Sequence, residues 1–312
     1  MLRKVFDQFI EDLLQKNDKE TTASSYYTLA TNHILNKFND RDMSSISEDE
    51  LLLHLTNEKS NHLRCADKEL GPKTIYDITT LINSLWAFAF KKGYIKQKIH
   101  ISVPKVSKRK IDVFSGNEKR KIEDYILEHP APFEIAILLC LYTGLRIGEV
   151  CALKWRDIDL GQELIHVSKT IIRIKNIKSN GPKTKVIIGL PKSEASMRPI
   201  PIPAVIIGLL KQAKSQDDDY IATNSDFFME PRLLQKRYKT LLKRAAVTYK
   251  NPHTLRHTFA TNAYTKGMGI KSLSEILGHA DIKTTLNLYV HPTMEQKQKE
   301  MNQIYLNEPL LT

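Results

Sequence analysis

Cysteine is scarce in this chain of 312 residues, which carries three of them. Cys65, Cys140 and Cys151 are widely spaced, and no two of them form a Cys-x-x-Cys pair. An odd and scattered set of this kind argues against a disulfide framework and against a zinc ribbon. We therefore expect free thiols in a reducing compartment.

Long apolar runs are also missing. The longest one, Ile135 to Tyr142, is far shorter than the roughly 20 residues that a membrane-spanning helix needs. The first residues include no apolar segment typical of a secretory signal. These absences predict a cytoplasmic protein with no membrane partner.

Acidic residues are outnumbered, with 35 Asp and Glu against 47 Lys and Arg, and the formal net charge is +12. This balance predicts a polyanionic partner, with nucleic acid ahead of an anionic membrane surface. The excess is uneven, because residues 1–108 carry 16 basic and 14 acidic side chains whereas residues 109–312 carry 31 and 21. The partner is therefore expected to bind mainly the second part of the chain.

Residues 91–110 contain eight basic residues and no acidic one. The stretch includes Gly93 and Pro104 and lacks sustained periodicity, which is typical of an exposed linker. We place a basic linker at residues 104–113, between a helical domain at 1–103 and a second domain at 114–312. Basic side chains here and in the later stretch 168–190 are candidate contacts to a phosphate backbone: Lys91, Lys92, Lys105, Lys108, Arg109, Lys110, Lys183 and Lys185.

Apolar periodicity predicts a mainly α fold with a small antiparallel β-sheet. Helical spacing in the first domain covers residues 5–14, 24–38, 47–58 and 72–92. In the second domain Ser115 and Glu118 form a capping box for a helix to Glu128, and helices follow at 132–141 and 147–153. Alternation then predicts strands at 164–174, 186–188 and 198–202, with a hairpin signal at Asn180-Gly181, and helices resume from Ala204.

Two segments of the second domain place a cation beside a break in regular structure. In Thr143 to Val150, Arg146 follows a glycine that ends a helix, and Glu149 is positioned to support it. In Leu190 to Pro201, Lys192 falls on a predicted turn between two strands. Either feature alone is typical of an ordinary solvated surface.

Two later segments add histidines, an arginine and a tyrosine. His253 and Arg256 are three residues apart in the run His253-Thr254-Leu255-Arg256-His257, and so share one helix face. His279 follows a glycine that ends one helix, and Tyr289 belongs to the next helix, which Asp281 or Thr284 caps.

Six of these residues together suit phosphoryl transfer without a metal: Arg146, Lys192, His253, Arg256, His279 and Tyr289. Arginine stays protonated, so Arg146 and Arg256 can hold the non-bridging oxygens of a phosphate as charge develops. Tyrosine has a pKa of about 10 and needs help to attack, and His279 or His253 can accept its proton or orient the phosphate. A lysine can protonate the leaving 5′-oxygen.

Across these segments the chain resembles the tyrosine recombinase, or phage integrase, family, and the resemblance covers nearly the whole chain. Arg146 matches the first arginine of that family, and Glu149 the acidic residue that supports it. His253 and Arg256 match its His-x-x-Arg pair. His279 matches its second histidine position, and Tyr289 matches its nucleophile. Lys192, followed by Arg198-Pro199-Ile200-Pro201, looks like its hairpin lysine, although Lys183 or Lys185 could take that place.

The resemblance implies a helical core-binding domain of SAM-like fold and a mixed α+β catalytic domain, with a C-terminal tail from about residue 290. It implies site-specific recombination of DNA through a 3′-phosphotyrosine, with integration and excision of a mobile element as the default task. It also implies a tetramer on two double-stranded DNA sites, exchange of C-terminal tails between protomers, accessory DNA-bending factors in some systems, and no cofactor or metal.

Three other interpretations fit parts of the sequence. His253 and His257 have the spacing of a helical zinc site, but Thr254 stands where a metallohydrolase needs a glutamate base, and an arginine within the site would oppose a cation. A DNA-binding regulator without catalysis would not need the complete set of six residues. A type IB topoisomerase shares the chemistry, but the helical first domain and the chain length favour a recombinase.

Overall fold

The computed structural model divides the chain into two compact units. The first comprises residues 1–110 and 173–187, and the second comprises residues 111–172 and 188–312. Within them the structure describes residues 1–15, 20–57, 70–103, 111–177, 181–190, 194–290, 294, 297–298 and 301–302.

The first unit is built on helices, as the apolar spacing predicts. Their bounds are α1 Leu2–Gln15, α2 Glu20–His33, α3 Leu35–Phe38, α4 Glu48–Asn57 and α5 Pro72–Lys91. The helix predicted at 24–38 is wrong in extent, because α2 begins earlier and the helix is interrupted at Ile34, where φ is −118°. The buried stripe of α5 packs with α1 and α2 into one apolar core.

Residues 173–187 of this unit come from two paired strands, β3 Thr170–Lys175 and β4 Thr184–Gly189. The backbone N–H of Lys175 donates to Oγ of Ser24 at 2.8 Å. The ammonium of Lys185 forms an ion pair with Glu20. The hairpin is therefore joined to α2 by polar contacts as well as by packing.

The second unit contains the remaining helices. Their bounds are α6 Gly116–Glu128, α7 Pro132–Thr143, α8 Ile147–Ala152, α9 Ala204–Ala213, α10 Pro231–Arg244, α11 His253–Thr265, α12 Ile270–Leu277 and α13 Ile282–Tyr289. The capping box of Ser115 and Glu118 is confirmed at the start of α6. Helix α7 is apolar on nearly all sides and is buried against α11.

A three-stranded antiparallel sheet completes the second unit. Its strands are β1 Ile158–Asp159, β2 Leu164–Val167 and β5 Arg198–Pro201, with β2 in the centre. The stretch 164–174 is in strands, as the alternation predicts, but it is divided between two sheets, because β2 pairs with β1 and β5 whereas β3 pairs with β4. Strands β4 and β5, which flank Lys192, therefore belong to different sheets, and residues 191–193 lie outside the described part of the chain.

The predicted fold class is confirmed, since helices dominate and the sheets are small and antiparallel wherever their register is described. Among the described residues, no helix is both long enough and apolar enough to cross a membrane. The predicted linker at 104–113 lies largely outside these residues, so that boundary stays a prediction.

Candidate active site

Arg146 is positioned by a sharp change of direction between two helices. Gly144 ends α7 with φ of +69°, a conformation that favours glycine, and Arg146 is the N-cap of α8. Glu149 accepts a hydrogen bond from the backbone N–H of Arg146 at 2.8 Å and another from its Nη1 at 2.7 Å. The guanidinium is thereby held in one orientation while its side chain keeps 33% of its surface exposed.

Glu149 also binds a second arginine, Arg198, at the start of β5. Nη1 and Nη2 of Arg198 donate to the two carboxylate oxygens at 3.1 Å each, and both side chains are buried. Burial alone would raise the pKa of Glu149, but the hydrogen bonds and charge of Arg198, with the charge of Arg146, lower it overall. One buried carboxylate therefore orients two guanidinium groups.

Arg256 lies on α11 and is 1% exposed. Its guanidinium donates to the carbonyl of Gly144 at 2.8 Å and to that of Leu277 at 2.6 Å. Burial, and then the charge of Arg146, lower its pKa to about 9, which leaves it protonated at neutral pH. Its buried Nε–H has no hydrogen-bond partner among the described residues.

His279 is held between Arg256 and the start of α13. Gly278 ends α12 with φ of +64°, and Asp281 caps α13 by accepting from the backbone N–H of Lys283. Nε2 of His279 lies 2.9 Å from Nη2 of Arg256, and Nδ1 lies 2.8 Å from Oγ1 of the buried Thr285. Because an arginine can only donate, Nε2 is the acceptor and the ring is neutral in this arrangement.

Tyr289 ends α13 and is 6% exposed. Its hydroxyl lies 2.8 Å from Nδ1 of His257, which is on α11 one turn after His253. The rings of His253 and His257 are perpendicular, with centroids 4.6 Å apart. Burial raises the pKa of Tyr289, although the charges of Arg256 and Arg146 oppose that effect.

The arrangement is suited to binding an anion. Arg146 donates to the carbonyl of Gly278 at 3.2 Å, next to the carbonyl of Leu277 that Arg256 uses, so the two guanidinium groups lie side by side. With Arg198 there are three such charges against the one carboxylate of Glu149. A phosphate would relieve this excess of positive charge.

Comparison with known proteins identifies the family. The family model described as the phage integrase family matches residues 113–296, which is more than half of the chain. The chain belongs to the phage integrase family. This finding confirms the resemblance that its sequence motifs indicate.

Individual relatives agree with this membership. The chain is 31% identical over 251 residues to a tyrosine recombinase XerC-like protein of Caldanaerobacter subterraneus subsp. tengcongensis, covering 72% of this chain but 64% of that relative, less than two thirds of its length. It is 30% identical over 186 residues to the transposase from transposon Tn916 of Enterococcus faecalis, covering 54% of this chain and 44% of that protein.

The fold also has a solved counterpart. The integrase of transposon Tn1549, determined in complex with transposon right end DNA, is similar with a TM-score of 0.74 at 21% identity, covering 97% of this chain and 99% of that one. At this level of identity the likeness concerns the fold alone.

Five of the six residues that the sequence predicts for the integrase site belong to one cluster in the second unit, where hydrogen bonds, ring contacts and charge link them: Arg146, His253, Arg256, His279 and Tyr289. The sixth, Lys192, lies outside the described residues. The alternatives, Lys183 and Lys185, belong to the first unit, where Lys185 is paired with Glu20.

The predicted DNA contacts of the linker are described only in part. Lys91 and Lys92 are exposed at the end of α5, and the ammonium of Lys92 lies 5.7 Å from the ring centroid of Phe88. The other four linker cations, Lys105, Lys108, Arg109 and Lys110, lie outside the described residues. Their contact with DNA stays a prediction.

Two side chains of the cluster have contacts that the sequence does not reveal. Arg198 belongs to the motif that follows Lys192, and His257 lies four residues after His253, at the spacing of a helical zinc site. Arg198 precedes two prolines on a strand, and His257 precedes its tyrosine partner by 32 residues. Neither spacing carries a local signal, so tertiary structure alone reveals these contacts.

Helix α10 presents a further basic surface in the second unit. It carries six basic residues and no acidic one, all exposed: Arg232, Lys236, Arg237, Lys239, Lys243 and Arg244. Within the described part of the chain none of them has a carboxylate partner within ion-pair distance. A helix with this many cations outside ion pairs is a candidate contact to DNA phosphates.

Proposed function

We propose that this chain is a site-specific DNA recombinase that cleaves and rejoins DNA through a covalent 3′-phosphate ester of Tyr289. The observation that carries the proposal is the pair of adjacent guanidinium groups, Arg146 and Arg256, in the cluster that also contains the tyrosine. The two guanidinium groups would bind the non-bridging oxygens of the DNA phosphate, and the negative charge on those oxygens grows in the transition state. An arginine so placed contributes about 10³ to 10⁵ in rate.

The remaining residues have roles that follow from their contacts. Glu149 keeps Arg146 in position, and His279 keeps Arg256 in position while its ring borders the phosphate site. His253, the first residue of α11, has its ring against that of His257 and is placed to contact a phosphate oxygen. Lys192 is proposed as the acid that protonates the leaving 5′-oxygen, because a leaving alkoxide needs a proton and a lysine can supply it.

The substrate is proposed to be double-stranded DNA at the ends of a mobile element, in the cytoplasm. The related Tn916 transposase and the DNA-bound Tn1549 integrase support this choice by their names. Helix α10 and the basic linker supply charge for the backbone contacts. Joining two duplexes requires strand exchange between partner sites, so four copies of the chain are proposed to assemble on them.

A nicked suicide duplex tests the proposal. The nick lets a short 5′-hydroxyl fragment diffuse away, so that a covalent adduct accumulates instead of being resealed. Duplexes taken from the DNA flanking the gene should give an adduct with the native chain and none with Tyr289→Phe, which removes one oxygen. Equal DNA binding by both proteins is the control. An adduct of undiminished yield with Tyr289→Phe would exclude this tyrosine as the nucleophile.

A further inference from the structure

The hydroxyl of Tyr289 has one hydrogen-bond partner among the described residues, and it is a histidine. Nδ1 of His257 lies 2.8 Å from that oxygen, and the two ring centroids are 5.7 Å apart. The distance is that of a well-formed hydrogen bond. The contact joins α11, which carries Arg256, to the end of α13.

The polarity of this bond follows from the two environments. Burial raises the pKa of Tyr289, so its oxygen is a neutral hydroxyl and can donate. Burial and the adjacent charge of Arg256 lower the pKa of His257, so its ring is neutral and one nitrogen can accept. The hydroxyl therefore donates to Nδ1, and Nε2 carries the proton of the ring.

The other histidines of the cluster do not compete for this proton. Both ring nitrogens of His279 are engaged, Nε2 with Arg256 and Nδ1 with Thr285. His253 meets His257 edge to face and makes no hydrogen bond with the tyrosine. Of the three rings, His257 alone has an unprotonated nitrogen on the attacking oxygen.

We infer that His257 is a catalytic residue, the base that removes the proton from Tyr289 as it attacks the DNA phosphate. The inference rests on the proposed function. As the bond from Oη to phosphorus forms, the O–H bond breaks and its proton moves to Nδ1. The bond from phosphorus to the 5′-oxygen breaks in the same reaction, and that oxygen takes a proton from the acid. Rejoining reverses each transfer.

The difference in basicity between the partners does not prevent this transfer. In the free protein the proton belongs on the tyrosine, because a phenol holds it more tightly than an imidazole does. Bond formation to phosphorus withdraws electrons from Oη and weakens its hold on the proton. The bound phosphate is also an anion near the ring, which favours the imidazolium. Transfer therefore accompanies attack and does not precede it.

The first test measures single-turnover formation of the adduct on the nicked duplex. His257→Ala should slow it by on the order of 10²-fold or more, the usual contribution of a general base. His257→Gln keeps a hydrogen-bond acceptor but no basic nitrogen, and should be about as slow. His166→Ala, at an exposed histidine on β2, should match the native rate. A native rate for His257→Gln would show that the ring only positions the tyrosine and would overturn the inference.

The second test replaces Tyr289 with a fluorinated tyrosine whose phenol ionises near neutral pH. Such a nucleophile needs no base, so it should restore much of the rate lost in His257→Ala while changing the native rate little. Lys192→Ala should gain nothing from it, and should instead be rescued by a 5′-thiolate leaving group. No rescue of His257→Ala by the fluorinated tyrosine overturns the inference.

Two further outcomes separate the possible failures. If His257→Ala forms the adduct faster than the native chain, the hydrogen bond restrains the tyrosine and does not activate it, and the inference is wrong. If the native chain forms no adduct at all, the proposed function fails first. Equal DNA binding and equal thermal unfolding of His257→Ala and His166→Ala exclude a folding defect as the cause.

Discussion

Glu149 carries more of the local organisation than its place in the sequence suggests. Its carboxylate is 3% exposed and receives hydrogen bonds from Arg146 and Arg198, which come from different parts of the chain. Removing one member of a buried ion pair leaves the others uncompensated in a medium of low polarity. The structural role of this residue is therefore separable from catalysis and can be measured as stability.

We expect Glu149→Ala to lower the free energy of unfolding by about 3 kcal/mol, because the buried guanidinium of Arg198 loses its partner and Arg146 loses the carboxylate that orients it. The loss is measured by urea unfolding, followed by a spectroscopic signal that comes from the second unit. Asp217→Ala is the matched control in the same unit, because its pair with Lys214 is exposed and should contribute less than about 1 kcal/mol. Equal losses in the two variants would contradict the assigned role of Glu149.

The histidine at position 279 makes stability depend on pH. Burial, and then the charges of Arg256, Arg146 and Arg198, lower its pKa to about 4. In the unfolded chain its pKa returns to about 6.5. Between these values the unfolded chain binds a proton that the folded chain does not, so acid favours unfolding.

The stability that the neutral His279 contributes is fully present above about pH 6.5 and is lost as the pH falls toward 4. We therefore expect the native chain to lose more stability than His279→Gln when urea midpoints are compared at pH 7.5 and pH 4.5, because glutamine does not titrate. The burial and neighbouring arginines of His253 act in the same direction and are common to both proteins. Parallel losses in the two proteins would exclude a lowered pKa for His279.

At the scale of the element, turns and helix ends place the site. Gly144 ends α7 and Gly278 ends α12, each with positive φ, and the carbonyl of each glycine accepts a hydrogen bond from an arginine. A methyl group at Gly144 would lie 2.6 Å from Cδ1 of Phe259. Space and conformation thus both require glycine there.

Gly144→Ala should therefore destabilise the chain by at least about 1 to 2 kcal/mol, the cost of a left-handed conformation for other residues. It should also slow adduct formation, because the carbonyl that binds Arg256 shifts. Gly208→Ala, within α9, is the opposite control: nothing lies within 4 Å of the new methyl group, and alanine favours helix by about 1 kcal/mol. In calorimetry, the unfolding temperature should fall for Gly144→Ala and rise for Gly208→Ala.

The helices and the breaks beside the site follow from the sequence because their signals are local. A capping box, an apolar stripe or a glycine after a helix is encoded within a few residues, and the structure has these features at Ser115, along α5 and at Gly278. The strands at 164–174 are predicted less well. Pairing of β2 with β5 joins residues as far apart in sequence as Leu164 and Pro201, so alternation alone does not show where the chain leaves one sheet for the other. The contact of His257 with Tyr289 is hidden for the same reason.

At the scale of the whole molecule, the distribution of charge bears on the proposed binding of DNA. Most of the net charge of +12 lies in residues 109–312, and there α10 concentrates six cations without a carboxylate of its own. Arg232, Lys236, Lys239 and Lys243 follow one another at intervals of four, three and four residues, so they form a stripe along one helix face. Neighbouring cations on one face can each neutralise a phosphate of the DNA backbone.

Each lysine that neutralises a phosphate releases condensed counterions, so the affinity for DNA falls with salt. We expect the triple variant Lys236→Gln, Lys239→Gln and Lys243→Gln to reduce the slope of log affinity against log salt by about 0.9 for each phosphate that the helix no longer neutralises. Binding should weaken uniformly across DNA sequences, because interactions with the phosphate backbone carry no base information.

Lys211→Gln provides the control, because it removes the same charge from an exposed position at the end of α9. Salt titrations of binding to a fluorescent duplex should leave its slope within error of the native value. If the triple variant and Lys211→Gln change the slope equally per charge, the effect comes from net charge and not from α10. A smaller slope in the triple variant alone assigns the helix to the DNA interface, because counterion release depends on the phosphates that are neutralised locally and not on the total charge of the protein.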